Sequence, residues 1–517
     1  MFVGTVTPVQ RFIVELQAAG VLARAGMIGL DALPSVGKAI RRYGTAGAAC
    51  RIAALRHGSR AGLVDEQGSL TFAELDRRSN AVANGLRGQG CTSDSGIGIL
   101  CRNHRGVFDA LFGAAKLGAR TVLLNTEFSA PQLAAVCARE RVELLIHDEE
   151  FEPDVPVRRM GSGAELAALI SANDPSPPPA PERFQRLVLL TSGTTGTPKG
   201  APRAIGQSLA LPAGLLSKIP YRSGDRIHVA APLFHGWGLL TASVAVAIGA
   251  TVVTRRRFDA AATVRTLVDE RCTARAAVPN MLARVLDEVG SHDLGGVRII
   301  ACAGSQLGAG LCVRTRALLG DVLYNLYGST EVAYATIATP ADLRAAPGCV
   351  GTPTLGSVVK LLDEADREVT PGAIGRIFVA NGARFTGYTD GTNRRVVHGL
   401  THSGDLGHLD DAGRLFVDGR DDDMIVSGGE NVFPQEVEEL IGGHDGVAEA
   451  AVFGVPDDEY GQRLCAYVVP HNGFELSAED VRTFVRANLA RYKVPRDVVF
   501  LDALPRNAAG KVVRGAL

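Results

Sequence analysis

Four hydroxyl residues within five positions, three glycines and a lysine meet in the run Thr191-Ser192-Gly193-Thr194-Thr195-Gly196-Thr197-Pro198-Lys199-Gly200. Glycines allow backbone N–H groups to converge on anionic oxygens, hydroxyls donate further hydrogen bonds, and Lys199 adds a compact positive charge. That inventory suits a polyphosphate. The run does not satisfy the P-loop pattern, because Pro198 precedes the lysine and Gly200 stands where that pattern has a metal-binding hydroxyl. A Gly/Ser/Thr surface turn has a similar composition, so the rest of the chain must decide between the two.

The elements that position this run read as α/β. Leu187-Val188-Leu189-Leu190 is a short buried strand, so the loop leaves a strand end, where ligands of open α/β sheets collect. Leu70 to Leu86 has helical periodicity, with Thr71 as its cap and Glu74 three positions on as the reciprocal partner. Gly96–Leu100 and Thr121–Leu124 read as buried strands around a helical segment from Phe108 to Leu117, and Asp174 to Pro181 is a proline-rich loop. Further strands are expected at 227–230, 251–253, 297–300 and 322–326, with their following loops converging beyond a shared sheet. From about Gly348 the pattern changes to short strands and turns. A boundary at Arg420-Asp421 separates a large ATP- and acyl-binding domain, 1–420, from a small mobile α+β domain, 421–517. Within the latter, helices are expected at 432–441 and 478–489 and strands at 448–453 and 464–469.

Composition excludes several function classes. The 517 residues give ample chain for a large core plus a smaller unit. The balance of 54 Lys+Arg against 55 Asp+Glu offers no bulk attraction to nucleic acid or an anionic membrane. The nine cysteines are scattered, odd in number and without a C-x-x-C pair, which fits a reducing compartment and neither a disulfide scaffold nor a thiolate zinc site. The N-terminus lacks a secretory pattern, and the apolar window Gly238 to Val253 is short for a membrane span and fits a buried helix followed by a strand. The expected compartment is cytoplasmic, with substrate delivery at a membrane surface left open.

Five further motifs follow in order: PLFHGWG at 232–238, YGSTE at 327–331, SGDLG at 403–407, GRDDDMIVSGGENVFPQEVE at 419–438 and PRNAAGK at 505–511, after TSGTTGTPKG at 191–200. Together with LTFAELDRRSNAVANGL and KLGA upstream, they resemble the AMP-forming acyl-CoA synthetase and adenylate-forming enzyme superfamily over nearly the whole chain. The resemblance implies a large multi-sheet N-terminal domain and a mobile C-terminal one. It also implies a two-step reaction: a carboxylate, here a hydrophobic acid such as a fatty acid, is activated by ATP as acyl-AMP and then transferred to CoA.

The resemblance distributes roles residue by residue. Lys199 and the loop residues Thr191, Ser192, Gly193, Thr194, Thr195 and Gly196 would hold phosphates, where preorganised donors meet developing charge. Gly304, Tyr327, Gly328 and Thr330 would form the AMP site, with the tyrosine packing on adenine and Glu331 holding magnesium. Asp405 would accept the ribose hydroxyls beside Arg420. Lys511 would bridge the substrate carboxylate and an α-phosphate oxygen without becoming a nucleophile. Asp422 matches the hinge, and rotation about it would withdraw Lys511 and bring Gly428-Gly429 toward CoA. Phe234, His235, Trp237 and Gly238 match the acyl region, with His235 orienting the carboxylate; taken alone, His235 reads equally as a packed, satisfied histidine. Gln306 departs from the small residue or proline usual before YGSTE, which leaves the adenine-side geometry open.

Competing readings separate on specific features. A Rossmann dehydrogenase lacks its properly spaced glycine motif. A carrier-protein-loading adenylation enzyme shares the first half-reaction and would use a separate acyl-carrier protein, since no carrier domain is attached. A luciferase-like oxygenase shares that step too. A non-catalytic nucleotide-binding scaffold would have little use for Lys199, Glu331, Asp405, Arg420 and Lys511 together. The expected partners are a small carboxylic acid, ATP, Mg2+ and CoA, with no nucleic acid and no transmembrane segment; chain length, aromatic or aliphatic preference and oligomeric state stay open.

Overall fold

The structure is a computed structural model that describes residues 8–27, 33–184, 187–191, 198–203, 210–383, 385–421, 425–427, 430–457, 461–507 and 510–517. These form four sheets, of nine, six, five and five strands. The six-stranded sheet is parallel from Arg158–Gly161 through Leu187–Thr191 and closes on the antiparallel edge strand Lys199–Arg203. The nine-stranded sheet has a parallel centre, running from Leu323–Tyr327 through Ile299–Cys302, Ala274–Ala277, Arg226–Val229 and Thr251–Val253 to Ala61–Asp65, with antiparallel edges. Helices between successive parallel strands cover their faces, and the largest apolar cluster packs both sheets together.

The third sheet, built on Gly375–Ala380, Leu400–Leu409 and Leu415–Arg420, is antiparallel. The fourth pairs Val447–Asp457 with Gly461–Pro470 and carries the helices Pro434–Gly442 and Ala478–Asn488 around a separate apolar cluster. This is a large α/β multi-sheet domain followed by a smaller α+β domain.

Local chemistry explains most boundaries. The helix Phe72–Gly88 begins where the Glu74 N–H donates to Thr71 Oγ1 and the Thr71 N–H donates to Glu74 Oε2, the reciprocal cap expected. It is fastened to the helix Arg105–Leu117 by the fully buried Lys116, whose ammonium donates to Asp76 Oδ1 at 2.6 Å and to Ser79 and Asn80 at 2.7 Å. Two expectations shift. The strand expected at 297–300 spans Ile299–Cys302, because Val297 closes a turn on Leu294. The helix expected from Val432 starts at Pro434, which sits in the first helical turn, where a missing N–H costs nothing; Val432 belongs to the strand Glu430–Val432.

The motifs do not share one sheet, as the sequence suggested. The glycine-rich run bridges two antiparallel strands of the six-stranded sheet, YGSTE follows a strand of the nine-stranded sheet, and SGDLG lies inside a strand of the third. The site is made where these sheets and the C-terminal domain meet.

Candidate active site

A cavity of about 2220 Å³ opens at that junction, lined by residues of all four sheets. At its nucleotide end the strand Leu323–Tyr327 delivers Tyr327, which is buried and donates from its hydroxyl to Asp405 Oδ2 at 2.6 Å. Asp405 faces Arg420 directly across the strand pair Leu400–Leu409 and Leu415–Arg420, with Arg420 Nη1 donating to Asp405 Oδ1 at 3.3 Å. Burial pushes the Asp405 carboxyl up, against the pull of Arg420, Tyr327 and Lys511. Gly328 is obligatory here: a Cβ would lie 2.0 Å from the Ala333 carbonyl oxygen. Thr330 and Gly304 also line the cavity.

Glu331 is buried and accepts from the hydroxyls of Ser329, at 2.8 Å, and Tyr388. Burial raises its carboxyl, but those hydrogen bonds and the Arg394 charge outweigh it and hold the group below its ordinary range. An ionised, oxygen-only ligand facing a polyphosphate-sized cavity fits magnesium, which is commonly held by one or two carboxylates plus substrate phosphates.

Lys199 opens the return strand opposite Thr191. Its ammonium lies 3.2 Å from Asp390, donates to Thr392 Oγ1 at 3.0 Å and sits 5.3 Å from the centre of the Tyr388 ring. The neighbouring Gly200 accepts the Thr389 N–H at 2.9 Å, and a Cβ on it would come within 2.5 Å of Glu140 and 2.6 Å of the Thr389 hydroxyl. The absence of a side chain at 200 therefore brings the segment 388–394 onto the lysine.

Lys511 enters from the C-terminal domain on a tight turn. Its N–H donates to Asn507 Oδ1 at 3.0 Å, the Asn507 N–H donates back to the Lys511 carbonyl at 2.9 Å, and Gly510 takes φ +76°. The side chain keeps surface open to the cavity while protein encloses it on its other sides. Its pKa is lowered by that enclosure and by Arg420, and partly restored by Asp405 and Glu331. Lys511 in turn acts on His235, whose pKa burial and that charge depress to about 4, so the imidazole is neutral at pH 7. His235 Nε2 has no hydrogen-bond partner among the described residues.

From His235 an apolar arm follows the helix Gly236–Ile248. Gly236, Leu239, Leu240, Ser243, Val244 and Ala247 line it, the i, i+3/i+4 spacing of one helix face. The eleven rises of 1.5 Å from Gly236 to Ala247 make that wall about 17 Å long. Trp237 lines the cavity and donates from Nε1 to the Ala277 carbonyl at 3.1 Å. Phe234 and Gly238 are not on the wall: Phe234 packs in the core, and Gly238 allows the helix to approach the Ala231 and Pro232 carbonyls, which a Cβ would meet at 2.5 and 2.4 Å.

The structure thus brings Lys199, His235, Trp237, Gly304, Tyr327, Gly328, Thr330, Glu331, Asp405, Arg420 and Lys511 to one cavity. The side chain of Thr191 and residues Ser192, Gly193, Thr194, Thr195, Gly196, Asp422, Gly428 and Gly429 lie outside what is described. Sequence reasoning missed Tyr388, Asp390, Thr392 and Arg394, which look like an ordinary polar turn until folding sets the first three against Lys199, nearly two hundred positions away, and Arg394 against Glu331. It also missed Tyr43, Ala46 and Ala49 of the helix Leu33–His57, which line the apolar arm.

Known proteins resemble the chain over most of its length. Residues 50–389 match the AMP-binding enzyme family and residues 436–511 the AMP-binding enzyme C-terminal domain. A fatty acid–[acyl-carrier-protein] ligase from Streptomyces coeruleorubidus is 33% identical, over 87% of this chain and 91% of its own. A feruloyl-CoA synthase from an Amycolatopsis species is 34% identical, over 89% and 94%. The Bacillus subtilis o-succinylbenzoate CoA synthetase, solved with its acyl-adenylate intermediate, superposes with a TM-score of 0.81 at 28% identity, covering 90% of this chain and 97% of that one. No described helix is long and apolar enough to cross a membrane.

Proposed function

The chain belongs to the AMP-binding enzyme family, the AMP-forming acyl- and aryl-CoA ligases, and on that premise we propose that it activates a fatty acid or similarly elongated apolar acid as acyl-AMP before transfer to CoA. The observation that carries this reading is the apolar wall along Gly236–Ile248, which starts beside His235 and Lys511 and runs about 17 Å from them. A single substituted ring fills only part of that length, whereas a flexible tail makes contact along all of it.

In the first half-reaction a carboxylate oxygen attacks the α-phosphorus and pyrophosphate leaves. The Lys511 ammonium would lie between the two anionic groups and neutralise their repulsion, and neutral His235 would orient the carboxylate without adding charge. Asp405 accepts from the ribose hydroxyls, Arg420 opposes the effect of burial on its carboxyl, and Tyr327 holds it in place while its ring packs beside the base. Lys199, with the hydroxyls of the 191–195 run, receives the phosphates. Magnesium, held by Glu331 with phosphate oxygens, would supply further neutralisation of the polyphosphate.

In the second half-reaction the thiol sulfur attacks the acyl carbon and AMP leaves. Lys511 has no part in that step, so the C-terminal domain, taken as 421–517 with Asp422 as its hinge, would rotate and bring Gly428-Gly429 to the thiol. A separate acyl-carrier protein is the second acceptor to weigh, on the strength of the fatty acid–[acyl-carrier-protein] ligase among the relatives.

The test is a panel of carboxylic acids of graded length, with ATP- and magnesium-dependent pyrophosphate release and CoA-dependent product mass read in the same reactions. Long aliphatic acids should give both signals. Release confined to small aromatic acids would reject the apolar-tail reading, and pyrophosphate without a thioester would move the acceptor to a carrier protein.

A further inference from the structure

The segment Tyr388–Arg394 presents opposite charges to the two residues that the preceding reading assigns to phosphate and metal. Asp390 lies 3.2 Å from the Lys199 ammonium, and Thr392 braces that carboxylate by donating to its Oδ1 from both N–H, at 2.9 Å, and hydroxyl, at 2.6 Å. Four residues on, Arg394 Nη2 stands 3.5 Å from Glu331 Oε1 and its Nε donates to the Tyr388 hydroxyl at 3.1 Å, which itself donates to Glu331. Arg394 and Arg420 both come within 3.3 Å of the point where Gly404 would carry a Cβ, next to Asp405, so the segment reaches the ribose end of the site as well. The Thr389–Gly200 backbone bond and the Thr389 hydroxyl, which donates to Glu140 at 2.6 Å, fix the segment to the phosphate hairpin.

An anion on the phosphate lysine and a cation on the metal carboxylate are what a polyphosphate and a divalent ion would themselves supply. We propose that Asp390 and Arg394 are specificity-determining residues of the nucleotide site, internal counter-ions that MgATP displaces together from Lys199 and Glu331. Neither half of the ligand removes both. A phosphate chain replaces Asp390 but is left beside a carboxylate whose charge Arg394 already neutralises; a metal replaces Arg394 but leaves Lys199 paired. The two ligands then bind cooperatively, and AMP, which lacks the β- and γ-phosphates, is disfavoured relative to MgATP less by shape than by its failure to make the exchange. Once the metal displaces it, the guanidinium is free to turn to the phosphates that have displaced Asp390, and planar, bidentate recognition of phosphate is its usual chemistry.

This inference rests on the proposed function for the identity of Lys199 and Glu331 as phosphate and metal residues, and its test is a binding experiment that stands apart from turnover. Asp390→Asn keeps the acceptor that Thr392 uses and removes only the charge. It should tighten MgATP about two- to fivefold by calorimetry, the scale of a partly exposed ion pair, and leave AMP unchanged. Arg394→Gln keeps a donor for the Tyr388 hydroxyl and should tighten Mn2+, used as a spin-active stand-in and titrated without nucleotide, about fivefold. In the double variant the affinity gain that Mg2+ gives ATP should shrink, since neither counter-ion remains for the joint exchange to displace and no guanidinium is released to the phosphates. Unchanged or weaker MgATP binding by Asp390→Asn, or unchanged Mn2+ binding by Arg394→Gln, with thermal unfolding as in the wild type, overturns the proposal. A wild-type protein that releases no pyrophosphate with any acid yet shows these shifts rejects the proposed function and leaves the counter-ion role standing.

Discussion

The Tyr327 hydroxyl donates to the Asp405 carboxylate across 2.6 Å, joining the last residue of a strand in the nine-stranded sheet to the third, antiparallel sheet 78 positions later. Both groups are buried, and Arg420 supplies a charged contact to the second carboxylate oxygen. Tyr327→Phe keeps the ring and deletes the donor, so Asp405 loses a hydrogen bond to its ionised form. The expected cost is about 1–3 kcal/mol of stability in a denaturant melt, with AMP binding weakened about tenfold by calorimetry. AMP affinity equal to the wild type would show that Tyr327 does not position the ribose-binding acid.

Lys511 belongs by sequence to the C-terminal part of the chain, yet the charges that act on it come from elsewhere: Arg420 and Asp405 on the third sheet, and Glu331 beyond a strand of the nine-stranded sheet. Lys511→Ala should lower adenylate formation on the order of 10²-fold or more, as loss of a preorganised charge does, while thioester formation from supplied acyl-adenylate changes little. Stopped-flow measurement of each half-reaction separates the two. Equal losses in both would end the division of labour between domain orientations.

Most of the fold was legible because its signals are local. The Thr71/Glu74 cap, the apolar strands and the break at Gly348 all act within a few residues, and the structure reproduces them with small shifts at 297 and 432. What the sequence could not show is which loops meet. Asp390 gains meaning only from the strand pair that places Lys199 beside it and Arg394 only from Glu331, and Tyr43 lines the acyl arm because its helix, kinked at Gly44, packs on Gly236–Ile248. Phe234 and Gly238 illustrate the converse. Their neighbours His235 and Trp237 face the cavity, while Phe234, ahead of the helix, packs in the core and Gly238, in its first turn, lies against the Pro232 carbonyl.

Burial of uncharged histidines ties stability to pH. His228 and His235 are depressed to about 3 and about 4, mainly by burial, against about 6.5 in an unfolded chain. Above pH 6.5 neither state binds the proton and no penalty arises. As pH falls from 6.5 toward 4 the unfolded chain takes up protons that the native protein refuses, so unfolding free energy declines, by at most about 1.4 kcal/mol per pH unit for each histidine. Replacing buried His228 with Asn should flatten that slope between pH 6.5 and 5 in urea titrations, whatever it does to stability at pH 8. An unaltered slope would mean that His228 is protonated in the native state.

The apolar arm makes substrate length a property of a few small side chains. Ser243 and Ala247 lie one turn apart on the helix Gly236–Ile248, far from the His235 end, and Ala46, Ala49 and Ala115 face the same space from two other helices. A bulky group at 247 blocks the end of the arm first, and one at 243 blocks it four residues earlier, about 6 Å closer to the carboxylate. Ala247→Phe should therefore remove the preference for the longest acids, and Ser243→Phe should shorten the optimum further. Each lost methylene contact is worth about 0.8 kcal/mol, so kcat/KM for acids that overrun the block should fall about fourfold per excluded carbon. Length profiles of pyrophosphate release for the two variants measure this directly. If both variants showed the wild-type profile with lowered activity throughout, the tail would have to lie elsewhere, and the reading of Gly236–Ile248 as its wall would fail.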